Sequence, residues 1–161
     1  MDIRIGQGFD AHKFIKNRPL ILGGISIPYE FGLDGHSDAD VLTHAVIDSL
    51  LGALSMGNIG TWFPDNDLKY KNADSIQLLE KVISSKELKS WELINLDGTI
   101  IAQKPKLLTY LHPIQKKLAT VLKTDADNIS IKPKTTEGMG FCGRKEGIAV
   151  LVNILLCKIE Q

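Results

Sequence analysis

Three side chains of metal-binding type, Asp10, His12 and His44, carry the first chemical signal in this sequence. Asp10 and His12 are two residues apart, so an extended strand would turn both side chains to the same face. Two imidazoles and one carboxylate suit a tetrahedral zinc ion whose fourth position stays open to a substrate oxygen, as in catalytic sites. The alternative interpretation is structural, with Asp10 in a turn, His12 on the surface and His44 as a partly buried, hydrogen-bonded histidine.

The segment that precedes His44 contains residues suited to cap a helix and carboxylates suited to orient the imidazole. The run His36-Ser37-Asp38-Ala39-Asp40 offers a helix cap at Ser37, Asp38 or Asp40, and its free amides suit an anion. Asp40 and Asp48 lie one helical turn before and after His44, so either carboxylate is predicted to orient the imidazole. Helix capping alone explains the same run without any binding function.

A glycine-rich segment, TTEGMGFCGR, forms the second chemical signal. The start of this segment and the residues before it offer cations, hydroxyls and a hard carboxylate. Together these groups suit Mg²⁺ on a diphosphate, and they belong to Lys132, Lys134, Thr135, Thr136 and Glu137. The spacing is that of neither a P-loop nor a dinucleotide-binding loop, so ATP and dinucleotide binding have no support. Arg144 is placed either to bind phosphate or to pair with Glu146.

Two other segments have the composition of binding loops. Residues 57–60 and 62–67 make a polar, turn-rich connection between helices, and residues 102–106 follow the end of a strand. Free backbone groups at the second segment are suited to contact a nucleobase edge. Exposed turn chemistry explains the aspartate and asparagine residues of the first segment equally well.

The strands that must position these residues follow from alternating apolar residues or from short apolar runs. They are predicted at 3–5, at 20–27 with a break at Gly23-Gly24, at 91–101 with an irregularity at Asp97-Gly98, at 128–132 and at 148–159. The first two are expected to pair with each other. The last is apolar enough to lie at the centre of a sheet.

Three helices are predicted between these strands. They run from Asp40 to Met56 with Gly57 as the C-terminal cap, from Asp74 or Ser75 to about Lys86, and from Leu111 to Leu122 with Pro113 in the first turn. Strands separated by helices predict an α/β protein, an α+β two-layer sandwich in which helices cover one face of a mixed sheet. No linker or repeat divides residues 1–161, so one domain is expected.

Composition excludes several functional classes. Nineteen basic and nineteen acidic residues give zero formal net charge, so no overall field favours nucleic acid or an anionic membrane. Cys142 and Cys157 form no CxxC motif, which favours a reducing compartment. Without an apolar leader or a run of about 20 apolar residues, the protein is expected to be soluble and cytoplasmic in a bacterium. A plastid-type organelle is the alternative if a transit peptide has been removed.

Six motifs in order resemble the methylerythritol cyclodiphosphate synthase family. They are FDAH, GHSDADVLTHA, GNIG, the FPD-x-D loop, IIAQ-x-PK and KTTEGMGF-x-GR. Each motif is weak alone, but their order and separations make the resemblance specific. Two residues depart from the family pattern, which usually has Asp at position 58 and commonly Thr at position 142, where this chain has Asn58 and Cys142.

The resemblance implies roles for individual residues. Asp10, His12 and His44 would bind zinc, Glu137 would hold Mg²⁺ or Mn²⁺ on the substrate diphosphate, and His36 and Thr135 would stabilise the transition state. The implied substrate contacts are Asp10, His12, His36, Ser37, Asn58, Ile59, Gly60, Phe63, Pro64, Asp65, Asn66, Asp67, Ala102, Gln103, Lys104, Pro105, Lys106, Leu107, Leu108, Lys134, Thr135, Thr136, Glu137, Phe141 and Arg144. Of these, residues 102–108 would surround cytosine and ribose.

The resemblance also implies an assembly and a reaction. The expected assembly is a homotrimer around a sheet-lined core, with active sites at the subunit interfaces and a central cavity for an isoprenoid diphosphate. The expected reaction is intramolecular: the 2-phosphate of a cytidine-diphospho methylerythritol substrate attacks the β-phosphorus, and CMP leaves. Two competing hypotheses are a zinc hydrolase of phosphate esters and a non-catalytic metal or nucleotide sensor.

Overall fold

A computed structural model describes residues 2–159 of the chain. Within these residues, seven strands and five α-helices follow one another along the chain. The strands are β1 (Ile3–Lys16), β2 (Leu20–Leu22), β3 (Ile25–Ile27), β4 (Phe31–Leu33), β5 (Trp91–Ile101), β6 (Ile129–Lys134) and β7 (Gly147–Lys158). The helices are α1 (Val41–Ala53), α2 (Ile59–Trp62), α3 (Ser75–Ile83), α4 (Leu111–Leu122) and α5 (Gly140–Gly143).

A five-stranded mixed sheet in the order β4-β1-β7-β5-β6 organises the molecule, with β7 at its centre as predicted. All pairs are antiparallel except β5 with β6, which is parallel. Alternate residues of β7, from Ile148 to Leu156, are buried under the helices, and α1 packs against both β1 and β7. The predicted two-layer α/β architecture with a mixed sheet is therefore confirmed.

The segment 20–27 was wrongly predicted to pair with the first strand. It forms the separate hairpin β2-β3, whose turn contains Gly23 and Gly24, both in the left-handed region. β1 is also much longer than predicted and pairs with β4 and β7 instead. Alternation over Ile3 and Ile5 located the strand, but these two residues are exposed on its outer face. Its inner face carries Gly6, Gly8, Asp10 and His12, which give no apolar pattern from which the length of the strand could be predicted.

Two glycines let α1 lie unusually close to β1. A Cβ atom at Gly8 would stand 1.9 Å from the carbonyl oxygen of Ala45, and one at Gly6 would stand 1.9 Å from that of Ser49. Any side chain here would push the helix away from the strand. This close approach is what brings the helix that carries His44 against the strand that carries Asp10 and His12.

The ends of α1 show which capping predictions were right. Asp40 is the N-cap, and its carboxylate accepts from the amide of Thr43 at 3.0 Å. At the other end the helix stops at Ala53, earlier than predicted, because Ser55 adopts a left-handed conformation. The amides of Ser55 and Met56 bond back to the carbonyls of Gly52 and Leu51, as in a Schellman motif. Gly57 is therefore not the C-terminal cap.

Other elements match the sequence more closely. α4 has the predicted bounds, and α3 begins after the cap Asp74 but ends at Ile83, short of Lys86. β5 is one irregular strand, with its register shift between Leu93 and Asn95 rather than at Asp97-Gly98. The loop predicted between helices contains the short helix α2. Within residues 2–159, no helix has the length and apolar character that crossing a membrane requires.

Replacing Asp40 with asparagine is expected to lower the free energy of unfolding by about 2–4 kcal/mol. The carboxylate is fully buried, and burial raises its pKa. It accepts hydrogen bonds from the amides of Gly23 and Gly24, at 2.9 and 2.7 Å, and from both the amide and the hydroxyl of Thr43. An asparagine NH₂ group would face buried donors. Urea unfolding at fixed protein concentration measures the change, with the exposed Asp127→Asn as control; equal losses would contradict this account.

Candidate functional site

The side chains of Asp10, His12 and His44 meet in one cluster, as the first sequence signal predicted. Asp10 Oδ2 lies 2.9 Å from His12 Nε2 and 3.0 Å from His44 Nδ1, and the two nitrogens are 3.2 Å apart. Asp10 and His12 point from the inner face of β1, and His44 comes from the first turn of α1. The two elements are held together by the close packing at Gly8.

The outer nitrogen of each imidazole has its own partner. His12 Nδ1 faces the carbonyl oxygen of Asp34 at 2.5 Å, and a carbonyl can only accept, so Nδ1 carries the proton. His44 Nε2 lies 2.9 Å from the hydroxyl of Ser75 and 3.1 Å from that of Ser37. The remaining nitrogens, His12 Nε2 and His44 Nδ1, both face Asp10 Oδ2, where they can donate to the carboxylate or turn their lone pairs to a cation.

This donor set fits a divalent metal ion. Three electron-pair donors that converge within 3.2 Å repel one another unless a proton or a cation lies between them. Four ligands at zinc distances in a tetrahedron are about 3.3 Å apart, close to the spacing found here. Two nitrogens and one carboxylate oxygen suit zinc, and the three protein ligands leave one position for another group.

The electrostatics of the cluster agree with a site built for positive charge. Burial alone would raise the pKa of Asp10, but hydrogen bonds and charge from His12 and His44 hold that pKa well below its usual range. Burial alone would lower the pKa of His12, yet the hydrogen bond and charge of Asp10 and the carbonyl of Asp34 raise it. The cluster therefore keeps its carboxylate ionised and ready to bind a cation.

The predicted orienting role of Asp40 and Asp48 does not match the hydrogen bonds. Asp40 points to the β2-β3 turn and the start of α1, and Asp48 accepts from the amide of Ile59 at 2.7 Å. Helical spacing placed both residues on the side of His44, but their carboxylates are used by neighbouring backbone groups. Burial raises the pKa of Asp48, and the charge of Asp10 adds to the shift.

A cleft of about 240 Å³ opens beside the cluster. Nine of the predicted site residues line it: Asp10, His12, His36, Ser37, His44, Ile59, Gly60, Phe63 and Asp65. Gly35, Tyr70 and Leu78 complete the lining and were not predicted. The side chain of His36 is exposed at this cleft, while the guanidinium of Arg18 donates to the carbonyls of Gly35 and Ser37 on either side of it.

Four predicted residues of the same loop do not line the cleft: Asn58, Pro64, Asn66 and Asp67. Asn58 caps α2, and its side-chain oxygen accepts from the amide and the hydroxyl of Thr61 at 3.0 and 3.1 Å. Asp67 caps a 3₁₀ turn at Leu68–Tyr70. The oxygen of Asn58 is therefore occupied within the loop, and its NH₂ group is the part left for another contact.

The remaining predicted residues form a second group away from the cluster. Residues 102–108 and 134–144 run side by side: the amide of Ala102 donates to the carbonyl of Lys134 at 2.9 Å, and the amide of Gly138 donates to Gln103 at 3.4 Å. Thr135 donates to Glu137 at 2.8 Å. Arg144 pairs with Glu146, which was the alternative prediction.

The sheet register separates these two groups. Asp10, Val150, Ile100 and Pro133 lie in one row across β1, β7, β5 and β6. Three strand spacings, or about 14 Å, therefore separate Asp10 from the strand that leads into Glu137. Within one chain, the predicted metal ligands and the predicted diphosphate-binding loop do not form one site.

Two residues behind the cluster, Ser75 and Asp38, were not predicted to be functional. Ser75 is fully buried and touches His44, although 31 positions separate the two in sequence. Asp38 accepts from the hydroxyl of Ser75. In the sequence both are candidates for helix capping, and the local sequence contains no signal that joins them to His44.

A larger groove, of about 930 Å³, lies at the opposite end of the sheet. Leu50, Trp91, Leu122, Lys123 and Leu156 are among its lining residues. The three-ligand group found within residues 2–159 lies in the smaller cleft instead. The chemistry of the donor atoms, and not the size of the cavity, therefore locates the candidate site.

Comparison with known proteins places the chain in a family. A model of the YgbB family matches residues 3–157, which includes the metal-ligand cluster, the cleft and the glycine-rich loop. The chain belongs to the YgbB family. The curated 2-C-methyl-D-erythritol 2,4-cyclodiphosphate synthase of Brachyspira hyodysenteriae is 57% identical over 158 residues, which are 98% of this chain and 100% of that protein. The resemblance found in the sequence is thereby confirmed.

Solved structures share the fold of this chain. The bifunctional IspDF of Campylobacter jejuni matches with a TM-score of 0.94 and 44% identity, over 99% of this chain and 43% of that one. This chain thus spans less than half of the bifunctional protein. IspF of Plasmodium falciparum, solved as a CDP complex, matches with a TM-score of 0.85 and 38% identity over 98% and 97% of the two chains.

Proposed function

We propose that this chain is a metal-dependent enzyme that converts 4-diphosphocytidyl-2-C-methyl-D-erythritol 2-phosphate to the 2,4-cyclodiphosphate and CMP. The observation that carries the proposal is the convergence of Asp10, His12 and His44 at a cleft in a YgbB-family chain. The reaction is that of a phosphorus-oxygen lyase in the non-mevalonate pathway to isoprenoid precursors. Residues 1–161 would form a single synthase domain that works in the cytoplasm.

Two metal sites support this chemistry. Asp10, His12 and His44 would hold zinc, and Glu137 would hold Mg²⁺ or Mn²⁺, since an exposed carboxylate is the hard oxygen ligand these ions prefer. When bound, the ions supply Lewis-acid polarisation of the diphosphate and neutralise charge at the departing CMP. Thr135 donates to Glu137 and so orients its carboxylate.

The protein itself mainly positions the substrate. The 2-phosphate is already anionic, so no protein nucleophile is required, and bending the substrate into attack geometry is worth about 7–11 kcal/mol. His36, exposed at the cleft, and Thr135 are the proposed groups that stabilise the transition state. Ser37, residues 58–60 and residues 63–67 would contact the methylerythritol phosphate portion.

The second group of residues would bind the nucleotide. Residues 102–108 lie beside the loop of residues 134–137, so cytosine and ribose on the first segment leave the diphosphate near the second. Lys134, Thr136, Phe141 and Arg144 complete this part of the proposed site. A structure of P. falciparum IspF holds CDP, which supports a cytidine-diphospho ligand in this chain.

One copy of the chain does not supply a complete site. Asp10 lies about 14 Å from the strand that leads into Glu137, and the cleft of about 240 Å³ is below the usual volume of a ligand pocket, about 300–1,000 Å³. We therefore propose a homotrimer in which the metal ligands of one subunit face the glycine-rich loop of the next. Each interface would then create one active site.

The uncovered face of the sheet supports this assembly. Ile3, Ile5 and Phe9 are 45%, 74% and 58% exposed on β1, next to Leu151 and Leu155 of β7. Such an apolar face on a sheet that helices cover on one side only suits burial against other copies. Three sheets turned inward would enclose a central cavity, in which an isoprenoid diphosphate is the proposed ligand.

Phosphorus NMR of the purified protein with the cytidine-diphospho substrate, Zn²⁺ and Mg²⁺ tests the function. CMP and a cyclic diphosphate are expected to appear together, without incorporation of ¹⁸O from labelled water. CMP with an acyclic bisphosphate, and ¹⁸O from the labelled water in one of the products, would instead identify a hydrolase. Binding of CMP without turnover would identify a sensor, and either of these results would overturn the proposed reaction.

A further inference from the structure

A chain of hydrogen bonds leads from Asp38 through Ser75 to His44, behind the metal-ligand cluster. His44 Nε2 lies 2.9 Å from the Ser75 hydroxyl, and that hydroxyl donates to Asp38 Oδ1. Ser75 is fully inaccessible to solvent and His44 is only 8% exposed, so water does not compete for these bonds. The three side chains come from the loop before α1, the start of α3 and the first turn of α1.

The protons available in this row of hydrogen bonds decide which nitrogen of His44 is protonated. The Ser75 hydroxyl has one proton, and the Asp38 carboxylate can only accept it. The oxygen of Ser75 therefore faces His44 with its lone pairs and must receive a proton from Nε2. A bare Nε2 would meet those lone pairs at 2.9 Å, which is unfavourable.

The backbone holds the Asp38 carboxylate in this orientation. Asp38 Oδ2 accepts from the amide of Ser75 at 3.1 Å, and Oδ1 accepts from the amide of Asp40 at 3.2 Å. Asp38 also donates its own amide to the carbonyl of Ala73 at 3.0 Å. The carboxylate is thus tied to both segments that carry its partners.

We infer that Asp38 is a positioning residue that acts through Ser75 to keep the proton of His44 on Nε2 and the lone pair of Nδ1 directed at the metal. The inference rests on the metal centre of the proposed function and adds residues to which no binding or catalytic role was assigned. Ser37 cannot fix the proton of His44 in this way, because its hydroxyl, 3.1 Å from Nε2, is free either to donate or to accept. Only the Ser75 hydroxyl, committed to a carboxylate, accepts from Nε2 without an alternative.

The Asp38→Asn variant of the full chain tests the inference. In either orientation the new NH₂ group faces a backbone donor, of Ser75 or of Asp40, and one orientation frees the Ser75 proton to point at His44. Zinc affinity, measured by competition with a chelator, is expected to fall about 10–100-fold. The Nε2 proton of His44, observed by NMR in the zinc-loaded protein, is expected to exchange with water faster, and excess zinc is expected to restore turnover.

Asp74→Asn is the matched control. Asp74 precedes Ser75 and caps the same helix by accepting from the amide of Ile76 at 2.8 Å, but it has no hydrogen bond to the chain that reaches His44. This variant is expected to bind zinc within about twofold of the unmodified protein, since only the helix cap is weakened. The comparison separates an effect on His44 from a general effect on α3.

Three results would overturn the inference. One is Asp38→Asn binding zinc as tightly as the unmodified protein with unchanged exchange of the His44 proton. If that variant does not fold, Ser75→Ala is measured instead. Loss of the Ser75 hydroxyl leaves His44 Nε2 only the Ser37 hydroxyl, which can either donate or accept. Unchanged zinc affinity in Ser75→Ala would then contradict the inference. Failure of the unmodified protein itself to bind zinc would remove the metal centre of the proposed function together with this inference.

Discussion

Replacing His44 with alanine is expected to remove zinc and to lower turnover about 10³-fold or more. Loss of one of three protein ligands leaves a two-ligand site, and Lewis-acid stabilisation of transition-state charge is worth several kcal/mol, with each 1.4 kcal/mol a factor of ten. The helix itself should persist, because alanine has the highest helix propensity and α1 is held by its buried apolar residues. Metal analysis, phosphorus NMR and circular dichroism measure the three quantities.

His112→Ala is the control for this experiment, since His112 is exposed on α4 and is not part of the cluster. It is expected to keep the zinc content and turnover of the unmodified protein. Retained turnover in His44→Ala, at zinc levels that leave the protein metal-free, would contradict both the proposed ligand and the proposed reaction.

Mixing two inactive variants is expected to restore activity if the sites lie between subunits. His44→Ala destroys the metal ligands of its own subunit, and Glu137→Gln destroys only the loop that faces a neighbour. In trimers assembled at random from equal amounts, about one quarter of the interfaces combine an intact cluster with an intact loop. Co-expressed variants should therefore reach about a quarter of the unmodified activity, although each is inactive alone.

Light scattering on the same samples establishes the size of the assembly. Mixing His44→Ala with Asp10→Ala is the matched control, because both changes damage the same side of the interface and no combination repairs it. Recovery only in the first mixture supports the trimer with shared sites. Absence of recovery from a mixture that does form mixed trimers would contradict sites built from two subunits.

Much of the fold could be predicted because its signals are local. The apolar run of β7, the amphipathic period of α4 and the cap of α3 at Asp74 each depend on a few neighbouring residues. Errors occurred where distant contacts decide. The β2-β3 hairpin pairs with itself because its left-handed glycines form a tight turn, and α1 ends early because Ser55 accepts a left-handed conformation.

The family, the fold class and the residue types of the metal cluster could all be identified from the amino-acid sequence, because ordered motifs and side-chain chemistry are carried by the chain directly. The tertiary structure alone decided which atoms converge and which groups orient them. It brought Ser75 to His44 and Asp38 to Ser75, assigned Asp40 and Asp48 to backbone contacts, and placed Asp10 three strands away from the strand that leads into Glu137. The reason is physical: local patterns specify single elements, whereas the distances between side chains depend on register and on the close packing permitted by Gly6 and Gly8.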